Sequence, residues 1–231
     1  MHAPFVIALI AIGLGILLIV VAFDLLTISF EHLGISPWAT FLIFAASAIG
    51  SLINIPVWAS HPEFQPGGFF RIREHIYYVH PHVTNNQIIA VNVGGAVIPI
   101  LLSLWLLPKT PLLRTLIATA IVAVVAHISA QIVAGRGIEM PLLLGPIVAA
   151  VAALVLTGGR RAAPVAYIAG SIGILIGADL SNLGRMSELG SGVLSIGGAG
   201  VFDGVFLTGL IAALLSFDTS SKKSSPVEMH P

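Results

Sequence analysis

The chain has 231 residues, of which 57% are hydrophobic and 9% are charged, and its ten basic side chains balance ten acidic ones. A soluble domain of this size could not hide so much apolar surface from water, so the composition predicts a protein of the lipid bilayer. The zero net charge gives no reason to expect a nucleic-acid partner, and the absence of cysteine excludes disulfides, thiolate metal sites and a cysteine nucleophile.

Apolar runs of about 20 residues, the length that crosses a bilayer as a helix, occur seven times. They predict an all-α polytopic membrane protein with spans at 4–27, 37–58, 87–107, 112–134, 140–157, 163–183 and 196–217. The first run lacks a preceding basic segment and is too long for the core of a signal peptide, which predicts a retained span. We therefore expect one transmembrane helical domain over 1–217, followed by a polar, disordered tail at 218–231.

The long connection at 59–86 separates spans 2 and 3 and holds four of the eight histidines. Within it, residues 69–78 alternate in part between apolar and polar side chains, which predicts a short β-like hairpin at the membrane interface. The spacing of the four histidines matches no recognised metal motif. We therefore expect no metal ion and no cofactor.

Basic residues in the connections predict the orientation of the chain. If the N-terminus is outside, the inner segments hold six of them and the outer loops four. The inner residues are Lys109, Arg114, Arg160, Arg161, Lys222 and Lys223, and the outer ones are Arg71, Arg73, Arg136 and Arg185. The excess favours an N-out, C-in topology.

Polar side chains inside the predicted spans fall in one leaflet of the bilayer. Each costs free energy in hydrocarbon and should face a partner or a wet cavity. The residues of this layer are Asn54, Asn92, His127, Gln131, Asp179, Asn182 and Asp203. His127 and Gln131 are four residues apart, so they would share one helix face and suit a helix-to-helix hydrogen bond.

Two of these residues, Asp179 and Asp203, are carboxylates on consecutive spans. About a dozen residues join spans 6 and 7, which predicts adjacent, antiparallel helices. Small residues four apart, which allow close helix approach, occur on both spans, at Gly173 and Gly177 and at Gly200 and Gly204. Two carboxylates at one depth in a medium of low polarity cannot both ionise cheaply, so they should share one proton. One could then activate a water while the other protonates a leaving group.

The stretch GVFDGVFLTGLIA at 200–212 resembles the second catalytic-aspartate segment of GxGD-type intramembrane aspartyl proteases, the presenilins and signal peptide peptidases. LIGADLSNL at 175–183 is similar to the first. The resemblance implies the polytopic helical fold of that family, in a compact prokaryotic form located in the plasma membrane, with Asp179 and Asp203 as the catalytic dyad. Phe202 stands where the family has glycine, Ala178 stands where it usually has tyrosine, and the intramembrane proline available here is Pro56.

Three classes of function follow from these patterns. The first is a protease that hydrolyses transmembrane peptides within the bilayer, without a cofactor. The second is a proton-coupled transporter or ion pathway in which the two acids and His127 relay protons or coordinate a cation. The third is an inactive, protease-like scaffold.

A transporter needs a polar path to the other leaflet, and spans 1, 3 and 5 offer little for one, so the protease is the leading prediction. Substrate and oligomeric state are left open by the sequence. The residues expected to support the dyad or bind substrate are Asn54, Pro56, Asn92, His127, Gln131, Asn182, Gly200, Phe202 and Gly204.

Overall fold

The computed structural model describes residues 17, 20–21, 23–61, 63–65, 67–72, 75–79, 82–84, 87–133, 137–189, 192–198 and 204–216. The helices of this part of the chain are Phe23–His32 (α1), Pro37–Gly50 (α2), Ile98–Leu106 (α3), Leu112–Ser129 (α4), Leu144–Thr157 (α5), Ala162–Ile174 (α6) and Gly204–Leu215 (α7). Two π-helical segments, Val93–Val97 and Leu175–Asp179, adjoin α3 and α6, and the 3-10 segments Leu107–Lys109 and Leu180–Leu189 follow them.

Two of these helices are long and apolar enough to cross a membrane: α4 and the continuous helix Ala162–Arg185, which begins with α6. α1 and α2 meet at 113° and count as a third candidate only if the bent pair forms one span. Val93–Lys109, Leu144–Thr157 and Val205–Leu215 are apolar but shorter. The described chain is therefore mostly helical with two or three candidate membrane-spanning helices, rather than seven long ones.

The helices of the predicted spans 2 and 3 are shorter than expected because one end of each span is a strand, and a further strand precedes the predicted span 7. Asn54–Ala59 (β1), Gln87–Asn92 (β6) and Gly192–Ile196 (β9) form a sheet in the order β1-β6-β9. β1 and β6 are antiparallel, and β6 and β9 are parallel. Interstrand pairing satisfies backbone groups that a continued helix would have satisfied within itself, which is what an apolar environment requires.

The placement of Pro56 in β1 corrects the expectation of a proline within a helical span. β1 is an edge strand, and its register with β6 shifts between Pro56 and Trp58. Proline has no N–H to donate, so it is tolerated at sheet edges and bulges. The same strand carries Asn54 at its first residue, paired with Asn92 at the end of β6, so both asparagines lie in strands and not in helices.

The connection at 59–86 is a stack of β-ladders, which confirms the predicted hairpin. Gly68–Ile72 (β3) pairs with His75–Val79 (β4), and Glu63–Gln65 (β2) pairs with His82–Thr84 (β5), both antiparallel. A further short ladder joins Gln131–Val133 (β7) to Gly137–Glu139 (β8). The predicted shared helix face of His127 and Gln131 is therefore wrong, because α4 ends at Ser129 and Gln131 lies in β7.

The centre of the fold is α6, which packs against α3, α4, α5 and α7. Alanine and glycine dominate its buried surface, so neighbouring backbones approach closely. Ser171 donates to the carbonyl of Val205 at 3.5 Å, and Gly170 packs against Gly209. The residue numbers of the contacts on α7 thus decrease as those on α6 increase. This confirms that α6 and α7 are adjacent and antiparallel.

The predicted role of Gly173 and Gly177 in that contact is wrong. A Cβ on Gly173 would meet Val122, and one on Gly177 would collide with the Ala123 carbonyl, so both glycines pack against α4. Because α6 is surrounded on several sides, each stripe of its small residues serves a different neighbour.

The helices run between two ends of the molecule, which we name the sheet end and the basic end. The sheet end carries the β1-β6-β9 sheet and Asp179, where the π-helical segment after α6 stops. The basic end carries Gly34, Lys109 and Arg161, which lie at the turn before α2, after α3 and before α6.

Candidate functional site

Asn92 is the fully buried polar centre of the sheet end. Its Nδ2 donates to the Ser51 carbonyl at 2.8 Å and to Asn54 Oδ1 at 3.1 Å. Its Oδ1 accepts from the Gly95 N–H at 2.7 Å, which caps the π-helical segment that follows. One amide thus joins the end of α2, the strand β1 and the start of the α3 helix, and the low polarity around it makes each of these bonds costly to lose.

Ser195 extends this network from β6 to β9. Its hydroxyl lies 2.6 Å from Asn54 Oδ1 and 2.6 Å from the Gly198 carbonyl oxygen, and it donates to one of them at a time. Asn54 itself is exposed. The side chain that the sequence placed at a helix end therefore sits at the edge of a sheet, where it links two strands.

The turn after β9 brings a backbone N–H to Asp179. Gly197 and Gly198 have φ values of +86° and +81°, and a Cβ on Gly197 would lie 2.7 Å from the Ala96 backbone nitrogen. Only glycine fits this position without strain. The Gly197 N–H donates to Asp179 Oδ2 at 2.7 Å, which fixes the orientation of a half-buried carboxylate.

Asp179 lines a cavity of about 360 Å³ at the sheet end. The turn after β9 contributes Gly198, the first turn of α7 contributes Val205 and Thr208, and the strand β8 contributes Glu139. A carboxylate, a hydroxyl and a second carboxylate thus border one mostly apolar space. This arrangement can hold a water or an extended backbone against Asp179.

His127 and Asn182 flank the segment that carries Asp179. His127 Nδ1 lies 2.7 Å from Ser181 Oγ, which confirms a hydrogen bond between helices, although the His127 side chain is exposed. Asn182 is buried and donates to the Ala178 carbonyl at 2.8 Å, so it satisfies the backbone where the π-helical segment ends. Both residues bond to neighbours of Asp179 in the chain, and neither lines the cavity.

Three predicted site residues, Gly200, Phe202 and Asp203, lie outside the described residues. Gly204 is the first residue of α7. Gln131 lies in β7 and not on α4, and it pairs with Glu139 of β8, which lines the cavity. The described part of the polar layer is therefore assembled at one end of the molecule, by strands and π-helical turns where helix ends were predicted.

The described residues contain no group of three or more His, Asp or Glu side chains that could hold a metal ion. The ionisable side chains that line the cavity are those of Asp179 and Glu139.

A family model with the description "Protein of unknown function (DUF1614)" matches residues 48–215, most of the chain. The chain belongs to this family. The DUF1614 match runs from the end of α2 to the end of α7, so it includes the whole β1-β6-β9 sheet and Asp179. No curated protein and no solved structure matches the chain.

Three residues of the candidate site were not predicted from the sequence: Ser195, Gly197 and Glu139. The signal for Gly197 was available, because consecutive glycines after the apolar run VLSI are typical of a turn that ends a strand. Glu139 carried no such signal, since its position at the cavity depends on the β7-β8 ladder.

Proposed function

We propose that this DUF1614 chain is an intramembrane aspartyl protease whose dyad is Asp179 and Asp203. The observation that carries the proposal is the cavity in which Asp179 meets the first turn of α7. In the sequence, Asp203 directly precedes Gly204, the first residue of the helix that lines this cavity. The resemblance of both aspartate segments to GxGD-type proteases supports the same pairing.

In this proposal the two carboxylates share one proton and divide the work of hydrolysis. The ionised member takes a proton from a water whose oxygen attacks the scissile carbonyl carbon, and the protonated member donates its proton as the C–N bond breaks and the amine leaves. The Gly197 N–H bond to Oδ2 restrains Asp179 through this sequence. The substrate class is a transmembrane helix that unwinds near the sheet end, where the β3-β4 hairpin offers a strand edge for it.

We further propose seven crossings of a prokaryotic plasma membrane, N-out and C-in. In support, four helices run from one end of the molecule to the other: α2, α3, α4 and Ala162–Arg185. Shorter helices can serve as crossings where strands and π-helical turns complete them at the sheet end and neighbouring helices cover the backbone. The excess of Lys and Arg at the basic end favours a cytoplasmic location for it.

The transporter alternative is less well supported. It requires a polar path between the two ends, yet the cavity at Asp179 and the cavity at the basic end share no lining residue. Between them, the buried side chains of α6 are mostly apolar, and its polar ones, Tyr167 and Ser171, are neutral. A proton relay would have to cross this packed segment.

The test is cleavage of a panel of transmembrane peptides in liposomes, with a proton-flux dye in the same vesicles. We expect Asp179→Asn and Asp203→Asn each to abolish cleavage, and the double variant to be hardly worse, because the two groups act as a unit. Asp24→Asn, the same change on an exposed residue of α1, is the matched control and should cleave normally.

Cleavage by either single variant would overturn the assignment. Loss of cleavage in Glu139→Gln together with activity in Asp203→Asn would make Glu139 the partner of Asp179. Proton flux that depends on Asp179 in the absence of any cleavage would favour the transporter.

A further inference from the structure

The basic end contains a cavity of about 440 Å³ that the proposed protease chemistry does not use. Three separate chain segments supply its basic lining: His32 at the end of α1, Lys109 after α3 and Arg161 before α6. None of the described residues that line it is acidic. The cavity therefore has the charge of an anion site and is built from elements distant in sequence.

The lysine and the arginine of this cavity are held in place. The Lys109 ammonium lies 3.0 Å from the centroid of the Trp105 ring, a cation–π contact. Arg161 Nη1 donates to the Lys109 carbonyl at 3.2 Å. Both side chains are thus positioned before any ligand arrives, which reduces the entropy cost of binding.

The backbone at Arg161 gives independent evidence of a constraint. Its φ is +56°, and it is the only non-glycine residue with a positive φ in the described part of the chain. The left-handed conformation is unfavourable for a side chain and natural for glycine. Backbone strain of this kind is costly and is typical of residues that bind ligands.

An apolar groove adjoins this basic cavity. Its volume is about 430 Å³, and it lies between α2 and α3, lined by Ile35, Ala39, Ile43, Ile98, Leu101 and Trp105. The two spaces share Gly34 as a lining residue, and Trp105 lies directly under the Lys109 ammonium. The basic cavity therefore adjoins a groove lined mainly by apolar side chains.

We propose that this composite surface binds an anionic phospholipid. The phosphate lies between Lys109 and Arg161, whose guanidinium fork suits two phosphate oxygens, and one acyl chain lies along the groove between α2 and α3. Basic pockets between membrane helices recognise lipid headgroups in this way. The site is independent of the Asp179 cavity and of the proposed proteolysis.

Trp105 makes the proposal testable by bromine quenching of its fluorescence. The variant W38F/W58F leaves Trp105 as the single tryptophan of the chain. It is reconstituted into phosphatidylcholine vesicles that contain a minor fraction of phosphatidylglycerol, with bromine on the acyl chains of one lipid or the other. Emission is expressed relative to the same protein in unbrominated vesicles.

We expect brominated phosphatidylglycerol to quench Trp105 well beyond its mole fraction. K109Q/R161Q should remove that excess, a loss of roughly 30-fold in relative affinity for two basic groups. The matched control is R114Q/R160Q, which removes the same charge from exposed residues outside the cavity lining and should keep the preference. R161G relaxes the backbone, so it should be at least as stable as the parent and still lose most of the preference.

Quenching by each brominated lipid in proportion to its mole fraction would overturn the proposal. So would an equal loss in R114Q/R160Q, because the attraction would then be general surface charge. An excess of inorganic phosphate that abolishes the preference would show a phosphate site rather than a lipid site. Circular dichroism and the thermal unfolding midpoint of each variant establish that it is folded.

Discussion

The two ends of the molecule are built by opposite means. At the sheet end, backbones touch: Gly94 packs on the Ser47 carbonyl, Gly177 on Ala123 and Gly197 on Ala96, and a buried asparagine joins three segments. At the basic end the turn at Gly34 has open space around it, and the long side chains Lys109 and Arg161 border a cavity. Tight packing at one end can hold a carboxylate in a fixed position, whereas the open end can admit a ligand.

The largest effect on stability should come from adding a side chain at Gly94, where the backbone touches that of α2. A Cβ there would collide with the Ser47 carbonyl and the Ser51 backbone, which cannot move without breaking α2, so we expect Gly94→Val to cost about 3 kcal/mol or more. Gly184→Val is the control, because nothing lies within 4 Å of its Cβ position. The thermal unfolding midpoint in detergent measures both, and equal midpoints would show that the sheet end is not tightly packed.

A smaller but still large effect should follow Asn92→Leu. The change leaves the Ser51 carbonyl and the Gly95 N–H without their bonds in a buried place, at a cost of about 2 to 4 kcal/mol. Asn54→Ala removes an exposed partner of the same network and should cost about 1 kcal/mol or less. Denaturant titration of the two variants measures both losses in the free energy of unfolding. A larger loss for Asn54→Ala would show that Asn54, and not Asn92, is the centre of the network.

The smallest difference compares two glycines with positive φ, one at each end. Gly34 has φ +76° and open space, so Gly34→Ala should cost only the left-handed backbone, about 1 kcal/mol. Gly197→Ala adds a collision with Ala96 and displaces the N–H that donates to Asp179 Oδ2. It should therefore lower the free energy of unfolding by about 1 to 3 kcal/mol more than Gly34→Ala. Parallel unfolding measurements give the difference, and a larger cost at Gly34 would contradict the contrast between the ends.

The sequence predicted the helices better than the strands that continue some of them at the sheet end. Long apolar runs identified α4 and the Ala162–Arg185 helix, and alternation identified the β3-β4 hairpin. A short apolar run such as NIPVWA or QIIAVN reads equally as the end of a helix or as a buried strand, because periodicity cannot separate them. Their pairing joins β1, β6 and β9, which are distant in sequence, so local signals could not reveal the sheet.

The same limit applies to the candidate site. The cost of polar groups in hydrocarbon pointed to Asn92 and Asp179, and both lie at the sheet end. Ser195 and Glu139 join the site only through β-ladders, which no spacing in the chain encodes. The π-helical segments that end at Asp179 and follow Asn92 could not be predicted either, since nothing in LIGAD or VGGAV distinguishes a π-helix from an α-helix.

Our main proposal is that Asp179, which lines the cavity at the sheet end, forms a dyad with Asp203. Because the chain contains no cysteine, D179C/D203C introduces the only two thiols, and a short bifunctional thiol reagent applied to native membranes reports whether they are close. We expect efficient intramolecular cross-linking of this pair and none for the control pair K109C/D179C, whose residues line separate cavities at opposite ends of the molecule. Absence of the D179C/D203C cross-link, when each single cysteine reacts with a monofunctional reagent, would contradict the proposal.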